Sequence, residues 1–404
     1  MTKGPTTGEP REGIDELLYF DHAASAPRRP EVFESMAPYM AGVVGNSTGA
    51  HRASRAARGA LDDAREEIAA LTGSLPGGVV FTGGGTESCN LAVFGTAADR
   101  TRRGKPARLC VSSIEHHAVL DSAQRLARGL LSSPVEVAML PVDGNGTLDL
   151  DACRKVLEGG ADLVSVMTAN NEVGTIQPIA ELAGLVREIA PGATVHTEAV
   201  AAAPWLDLSI AAEGADLVTI CAHKLGGPVG IGALCLRREL ALVPVTVGGG
   251  QERGRRAGTP DVAAAVGLAV ALRLAVAERE TAAALTTARR DHLAKLLMTG
   301  ISGVQVTAPG ASILPGTCHV MIRGVSSEEL VFLCDDAFLC VSAASSCSSG
   351  ATSASHVPAA MGVEDDDARG SLRLTLGAET TDDQVERAAS IVTAAVSQLR
   401  GEGN

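Results

Sequence analysis

The sequence predicts an α/β protein: a large domain with a mostly parallel central sheet flanked by helices, joined to a smaller α+β domain. Two observations predict it. Short β-rich runs alternate with longer helical patterns over roughly the first two thirds of the chain, the order that builds parallel strands with crossover helices. Beyond about residue 275 the alternation gives way to a charged helix and a tail of mixed character. At 404 residues the chain is long enough to bury a large core and to divide it.

The elements follow in order. "GGVVFT" is a strand leading to a helix from about Thr86; "ARLCVSS" leads to a helix from His117; "DLVSVMT" precedes "IAELAGLVREIA"; "ATVHTE" and "DLVTICA" complete the series. The apolar run Ala263 to Ala277 contains Arg273 and is too short to span a bilayer, so it reads as a buried helix. A second helix, "AERETAAALTTARRDHLAKLL", follows it, then a Gly/Ser-rich loop at 342–353 and a last helix from Thr381. These divisions place a lead-in at 1–15 joining the small domain, the large domain at 16–275 and the small domain at 276–404.

Composition excludes several functions. Net charge is −13 with 34 dispersed Lys and Arg, and aromatics are 2% of residues, so neither a phosphate-neutralising stripe nor a stacking platform for nucleic acid is present. The opening residues hold no apolar signal core, which gives an expectation of a cytoplasmic protein without a membrane partner. Nine cysteines without CxxC spacing indicate neither a zinc site nor a disulfide framework. Most are expected as buried apolar residues, Cys334 and Cys340 among them. No GxGxxG or Walker motif occurs.

Polar residues recur at successive strand ends, where ligands collect in open α/β sheets. "FTGGGTESCN" puts three glycines and Thr86-Glu87 at a strand-to-helix turn, either a phosphate cradle of backbone N–H groups or an ordinary turn capped by Thr86. "SSIEHHAVL" offers His116 and His117, "TANNEVGTIQP" offers Asn170, Asn171 and Glu172, and "VHTEAV" offers His196 and Glu198. In "DLVTICAHKLGGPVGIGALCLRR", His223 and Lys224 stand between an apolar run and glycines, where a lysine is difficult to explain as packing. Together these residues suggest a single cleft. An imine-forming lysine, a carboxylate, a phosphate cradle and a histidine are the parts that hold pyridoxal 5′-phosphate.

Seven stretches in order carry a specific likeness: "GNSTGAHRASRAARGALDDAREEIAALTG", "VVFTGGGTESCNLAVFG", "IEHHAVL", "LVSVMTANNEVGTIQPI", "AHKLGGPVGIGAL", "GGGQERGRRAGT" and "VSAASSCSSGATSASHVPAAMG". In them the chain resembles the cysteine desulfurases of the class V aminotransferase superfamily, fold-type I pyridoxal phosphate enzymes, in the branch with a long catalytic-cysteine loop. The resemblance implies Lys224 as the imine-forming lysine that also moves a proton. It implies Gly85 and Thr86 at the phosphate, His223 beside the lysine, His116 stacked on the cofactor ring, and Asn171 near the ring hydroxyl and the substrate. Arg373 would grip the substrate carboxylate, Asn46 would assist at the entrance, and Thr259 would reach the phosphate of a neighbouring subunit, making a homodimer. Cys347 would take sulfur from L-cysteine as a persulfide, releasing alanine, and pass it to an acceptor protein such as an iron–sulfur scaffold.

Three pocket positions depart from the family's pattern. Glu198 stands for an aspartate facing the pyridine nitrogen, Ala201 for a glutamine and Cys221 for a phosphate-binding serine. A related pyridoxal-dependent cysteine or selenocysteine lyase, an aminotransferase-like enzyme, and a degenerate sulfur-assembly scaffold are the alternatives these changes leave open.

Overall fold

A computed structural model describes residues 17–42, 45–343 and 355–401. Twelve strands occur among them: β1 (Leu18–Tyr19), β2 (Val79–Thr82), β3 (Ala107–Ser112), β4 (Val135–Leu140), β5 (Leu163–Ser165), β6 (Thr194–Glu198), β7 (Leu217–Cys221), β8 (Gly232–Leu236), β9 (Val304–Val306), β10 (Thr317–Ile322), β11 (Leu339–Cys340) and β12 (Ser371–Thr375). Seven form one sheet in the order β2-β8-β7-β6-β5-β3-β4, parallel from β7 to β4, with β8 antiparallel to both its neighbours. This is the α/β architecture with a mostly parallel sheet that the alternating pattern predicts. Strands β5, β6 and β7 are buried at every position, as befits parallel strands covered by helices on both faces.

The helix Arg52–Thr72 shows how one face is covered. Its Ala57, Leu61, Ala64 and Ile68 recur at helical spacing and are buried in the large core. Gly73 ends it at φ 65°, a left-handed conformation that costs glycine little.

The two helices expected around 263–297 are one helix, Val262–Gly300, because no glycine or proline interrupts its interior strongly enough to end it. Its first part is apolar on every side and buried in the large core; its second part buries Leu293 and Leu297 in another core with β10 and β12. The expected boundary after residue 275 therefore falls inside a continuous helix. Leu18 and Phe20, placed by sequence in the large domain, pack in the second core, since β1 pairs in parallel with β11. A three-stranded antiparallel sheet, β12-β10-β9, backs this core.

β3 is the topological switch point of the large sheet: β4 lies on one side of it and β5 on the other. The turn after β3 consequently opens into the crevice where ligands bind. No helix among the described residues is long and apolar enough to cross a membrane.

Phe338 is backbone-strained at the entrance to β11. Its φ is +61° and its side chain is 46% exposed, so an L-residue with a Cβ occupies a left-handed helix-ending position and gains little packing in return. Replacing it with glycine removes a penalty of roughly 1 kcal/mol, partly offset by glycine's greater unfolded-state freedom. Phe338→Gly is expected to shift the urea midpoint upward without changing the far-ultraviolet circular dichroism; a lower midpoint would show that the ring is held by packing.

Candidate active site

Lys224 lies in the turn between β7 and β8 and is partly buried. Its Nζ donates to the carbonyl oxygens of Ala23 and, at 2.8 Å, Ala24. Burial lowers its pKa, the charge of Arg373 lowers it further, and Cys221, Glu198 and Asp21 oppose the shift. The amine borders a cavity of about 570 Å³ that is also lined by Asn171, Ala201, Trp205, Thr317 and Thr375.

Arg373, on β12, is 5% exposed. Its guanidinium donates to the carbonyl oxygen of Asn171 at 3.0 Å and to Asp21 Oδ1 at 2.8 Å, while Nε is buried without a partner among the described residues. That leaves one nitrogen of a permanently charged fork without a protein partner among the described residues.

The glycine turn after β2 is a helix N-terminus. The helix Gly85–Thr101 has Gly84 as its cap residue at φ 149°, and Thr86 sits inside the first turn with its hydroxyl exposed, so Thr86 is not the cap. A Cβ on Gly85 would stand 3.0 Å from Val200 Cγ2, so the bare backbone of this turn lies against the segment after β6. Glu87 accepts from the Gly83 N–H and pairs with Arg256 at 2.9 Å, tying the turn to the segment that ends in Thr259.

His116 caps the helix His117–Arg125, its Nδ1 accepting from the Ala118 N–H at 3.0 Å. Nε2 then carries the proton of the neutral ring. Burial and, next, the charge of Lys224 push its pKa down to about 4. Thr86 and His116 line a second cavity of about 780 Å³ with Asn90, Phe94 and Val245. Lys224, Asn171 and Ala201 line the first of these cavities, Thr86 and His116 the second, and the charge of Lys224 is felt at His116.

Glu198 ends β6, is 5% exposed, and accepts a hydrogen bond from the Val200 N–H. Burial raises its pKa to about 7 against the opposing effects of that hydrogen bond and of Lys224. Cys221 is buried at the end of β7 with its thiol pushed up to about 12, chiefly by desolvation. His223 is partly buried, with a pKa lowered to about 4 by burial and Lys224. Asn46 and Thr259 are exposed and line neither cavity, and Cys347 lies outside the described residues.

His196 proves to be structural. It is fully buried between Ser165 Oγ at 2.8 Å and Thr219 Oγ1 at 3.0 Å, joining β5, β6 and β7. Cys340, expected in the core, is only partly buried, since β11 is a two-residue edge pair. Desolvation, the largest cause at each, raises the pKa of all eight described cysteines, so none is a thiolate near neutrality. Asp21 and the Ala23 and Ala24 carbonyls, which hold Arg373 and Lys224, carry no sequence signal of their own apart from lying in one short polar turn.

A glycine-rich helix N-terminus, a neutral histidine, a buried carboxyl and a lysine of lowered pKa thus stand at strand ends of one mostly parallel α/β sheet. The profile of the family described as Aminotransferase class-V matches residues 18–388, and the chain belongs to that family, whose members are pyridoxal phosphate enzymes. It is 40% identical over 388 residues to a Mycobacterium tuberculosis protein named IscS-like cysteine desulfurase, covering 95% of this chain and 97% of that one. Among solved structures, one described as a NifS-like protein superposes with a TM-score of 0.86 at 30% identity, covering 95% of this chain and 100% of that chain. Another, described as SspA in complex with cysteine, has a TM-score of 0.76 at 30% identity, over 90% of this chain and 99% of that one.

The Glu198 carboxyl makes the stability of the folded chain depend on pH in a definite sense. With a pKa near 7 in the fold, above its unfolded value, it contributes stability that is complete below about pH 4.5 and is lost as pH rises through 7. Glu198→Gln keeps an acceptor for Val200 without the charge. Cofactor-free Glu198→Gln protein is expected to match the wild type in thermal midpoint at pH 5 and to exceed it at pH 8.5; parallel curves would refute the assignment.

Proposed function

We propose that the protein is a pyridoxal-phosphate-dependent cysteine desulfurase, which takes the sulfur of L-cysteine onto Cys347 and releases L-alanine. The observation that carries this reading is Lys224: an amine of lowered pKa bordering a cavity, near enough to the Arg373 guanidinium and the Glu198 carboxyl to feel both charges.

The residues present fit the cofactor. The bare backbone at Gly84 and Gly85, with the Thr86 hydroxyl and the positive end of a helix dipole, suits a phosphate. Lys224 would hold the aldehyde carbon, the Glu198 carboxyl would face the ring nitrogen, His116 would lie on the ring, and Asn171 and His223 would border it. Ala201 and Cys221 add no strong hydrogen-bonding side chain at that wall. Bound pyridoxal phosphate supplies an electron sink that makes the substrate's Cα proton acidic.

Each remaining task falls to the chain's own residues. Arg373 takes the substrate carboxylate in a charge-assisted hydrogen bond, Nε being its unsatisfied donor. Lys224, deprotonated more readily than a solvated lysine, takes the Cα proton and returns one. His116, neutral at pH 7, adds no competing positive charge and keeps an N–H on Nε2 for proton transfer. The Cys347 thiolate attacks the substrate sulfur: an S–S bond forms, the C–S bond breaks, and its electron pair stays with carbon, which is protonated to give alanine. Seven of the other eight thiols are buried and the pKa of the partly buried Cys340 is raised, which leaves Cys347 for that role.

Thr259 is exposed, and Val245 and Val247 on the same connection are 43% and 78% exposed. A homodimer in which Thr259 reaches the neighbouring phosphate would cover them. The persulfide sulfur would then pass to an acceptor protein, an iron–sulfur scaffold among the possibilities, in the cytoplasm.

The test is alanine released from L-cysteine by protein supplied with pyridoxal phosphate and dithiothreitol. Wild type is expected to turn over, Cys347→Ser to release at least a hundredfold less, and Lys224→Ala none. Equal alanine from wild type and Cys347→Ser would mean a lyase. Loading is read independently, since Trp205 is the sole tryptophan of the chain and lines the Lys224 cavity. Its fluorescence is expected to be quenched as cofactor is titrated in; no quenching would place the cofactor elsewhere.

A further inference from the structure

The cavity beside Lys224 holds a histidine with no part in the steps assigned to Lys224, Arg373, His116 and Cys347. His22 lines that cavity, and its neighbours in the chain hold the two cations of the site: Asp21 Oδ1 accepts from Arg373 at 2.8 Å, and the Ala23 carbonyl oxygen accepts from Lys224 Nζ. The backbone here is tied to β12. The His22 N–H donates to the Thr375 carbonyl oxygen at 3.5 Å and the Ala23 N–H to Thr375 Oγ1 at 2.9 Å. The imidazole is thereby set in the wall of the cavity that receives the substrate, with its side chain only 10% exposed.

The ring is also oriented. Nδ1 lies 3.8 Å from Glu379 Oε1, and the Tyr19 ring meets the imidazole edge-on at 5.1 Å. His22 and Glu379 converge over Gly377, where a Cβ would stand 2.3 Å from His22 Cε1 and 2.6 Å from Glu379 Oε2. A side chain at 377 would push the pair apart. Burial lowers the pKa of His22, while Glu379, a hydrogen bond to the Tyr19 backbone and Asp21 raise it. A neutral ring that gives its one N–H to Tyr19 keeps the other nitrogen bare, and Glu379 is near enough to stabilise the charge when that nitrogen gains a proton. The other charged groups of the cavity wall are Lys224, Arg28, Glu31 and the pair Arg29–Glu278, joined at 2.8 Å.

We propose that His22 is a further catalytic residue, the base that takes a proton from the ammonium group of the incoming L-cysteine, with Glu379 as its positioning partner. This rests on the desulfurase reading. An amino acid arrives at neutral pH as an ammonium, and only its free amine attacks an imine carbon. Lys224 cannot take that proton, because it holds the aldehyde carbon when the substrate arrives, and His116 lines the other cavity. In the step an N–H bond of the ammonium breaks, its electron pair stays on nitrogen, and the proton passes to the bare ring nitrogen of His22. From there it leaves to solvent past exposed residues of the cavity rim such as Arg28.

Rapid mixing of holoenzyme with L-cysteine, followed by the cofactor's visible absorption, reads this step without requiring Cys347. His22→Gln is expected to slow the change about a hundredfold at pH 7, the low end for general-base catalysis, and to come within about threefold of wild type at about pH 9.5, where much of the substrate is already a free amine. Glu379→Gln and Gly377→Ala slow it in the same sense by about tenfold. Cofactor content within twofold of wild type controls for folding. In cofactor-free protein the His22 ring resonance, assigned by its absence from His22→Gln, is expected to titrate at lower pH in Glu379→Gln, which lacks the carboxylate that favours the imidazolium. A His22→Gln rate within twofold of wild type at pH 7 overturns the proposal. So does an equal loss at both pH values, which would make the ring merely structural, or a His22 titration unmoved by Glu379→Gln. Wild type that shows the absorption change but releases no alanine sinks the desulfurase reading and leaves the His22 step standing; no absorption change at either pH overturns both.

Discussion

An amine held by carbonyl dipoles, with no carboxylate hydrogen-bonded to it among the described residues, is the constraint around which the site is arranged. Residues 21–26 impose it. The segment leaves the second core after Phe20 and crosses to the large domain, where the Ala26 N–H donates to the His223 carbonyl at 2.9 Å. On the way Asp21 goes to Arg373, the Ala23 N–H goes to Thr375 Oγ1 at 2.9 Å, and the Ala23 and Ala24 carbonyls receive Lys224. The carboxylate of the segment is thereby spent on the guanidinium, which needs no tuning, and the lysine is left with dipoles that hold it in place without cancelling its charge. Desolvation then lowers its pKa. One six-residue segment fixes both the distance between the two cations and the difference in their chemistry.

The same field explains the neutral histidine and the protonatable glutamate. A positive Lys224 disfavours a second cation at His116, which already sits at a helix N-terminus where positive charge is unwelcome. Glu198 feels Lys224 as a partner, but complete burial outweighs it. The carboxyl folds back onto the amide two residues on, a contact that holds it at the end of β6.

How much of this was legible follows from what each feature depends on. The parallel sheet was legible because strands such as β5 and β7 are short, buried, mostly apolar runs and because polar residues gather at the strand ends. Lys224 stood out as a charge where packing gives no reason for one. That Lys224 and His116 line different cavities was not legible, since it depends on how the turns after β3, β6 and β7 project from the sheet. His196 looked like a site residue because its partners, Ser165 and Thr219, lie on neighbouring strands 31 and 23 positions away in the chain, which no local pattern exposes. The break expected near residue 275 reflected a change from apolar to charged text, yet a helix continues through such a change when its two halves meet different cores.

Local rules are broken at one further place, and it is held from outside the broken segment. Glu252 and Arg253 are consecutive left-handed residues, at φ 47° and 58°, in the glycine-rich connection that leads to Thr259. The Glu252 carboxylate is buried and receives both guanidinium nitrogens of Arg65, at 2.8 Å and 3.0 Å, and the Phe81 N–H at 2.9 Å. Arg65 in turn lies over the Phe81 ring at 4.8 Å. A fork-to-fork pair of this kind gives up much of its Coulombic gain to desolvation, so its value lies in geometry more than in stability. Here the geometry joins the connection to β2, the strand that ends in the glycine turn, while Glu87 and Arg256 join it again at the turn itself. A hydrogen bond at Phe81 and an ion pair at Glu87 thus clamp one connection to the two ends of one short stretch, 81–87. That double attachment is what keeps a strained, exposed segment in register with the helix N-terminus it accompanies.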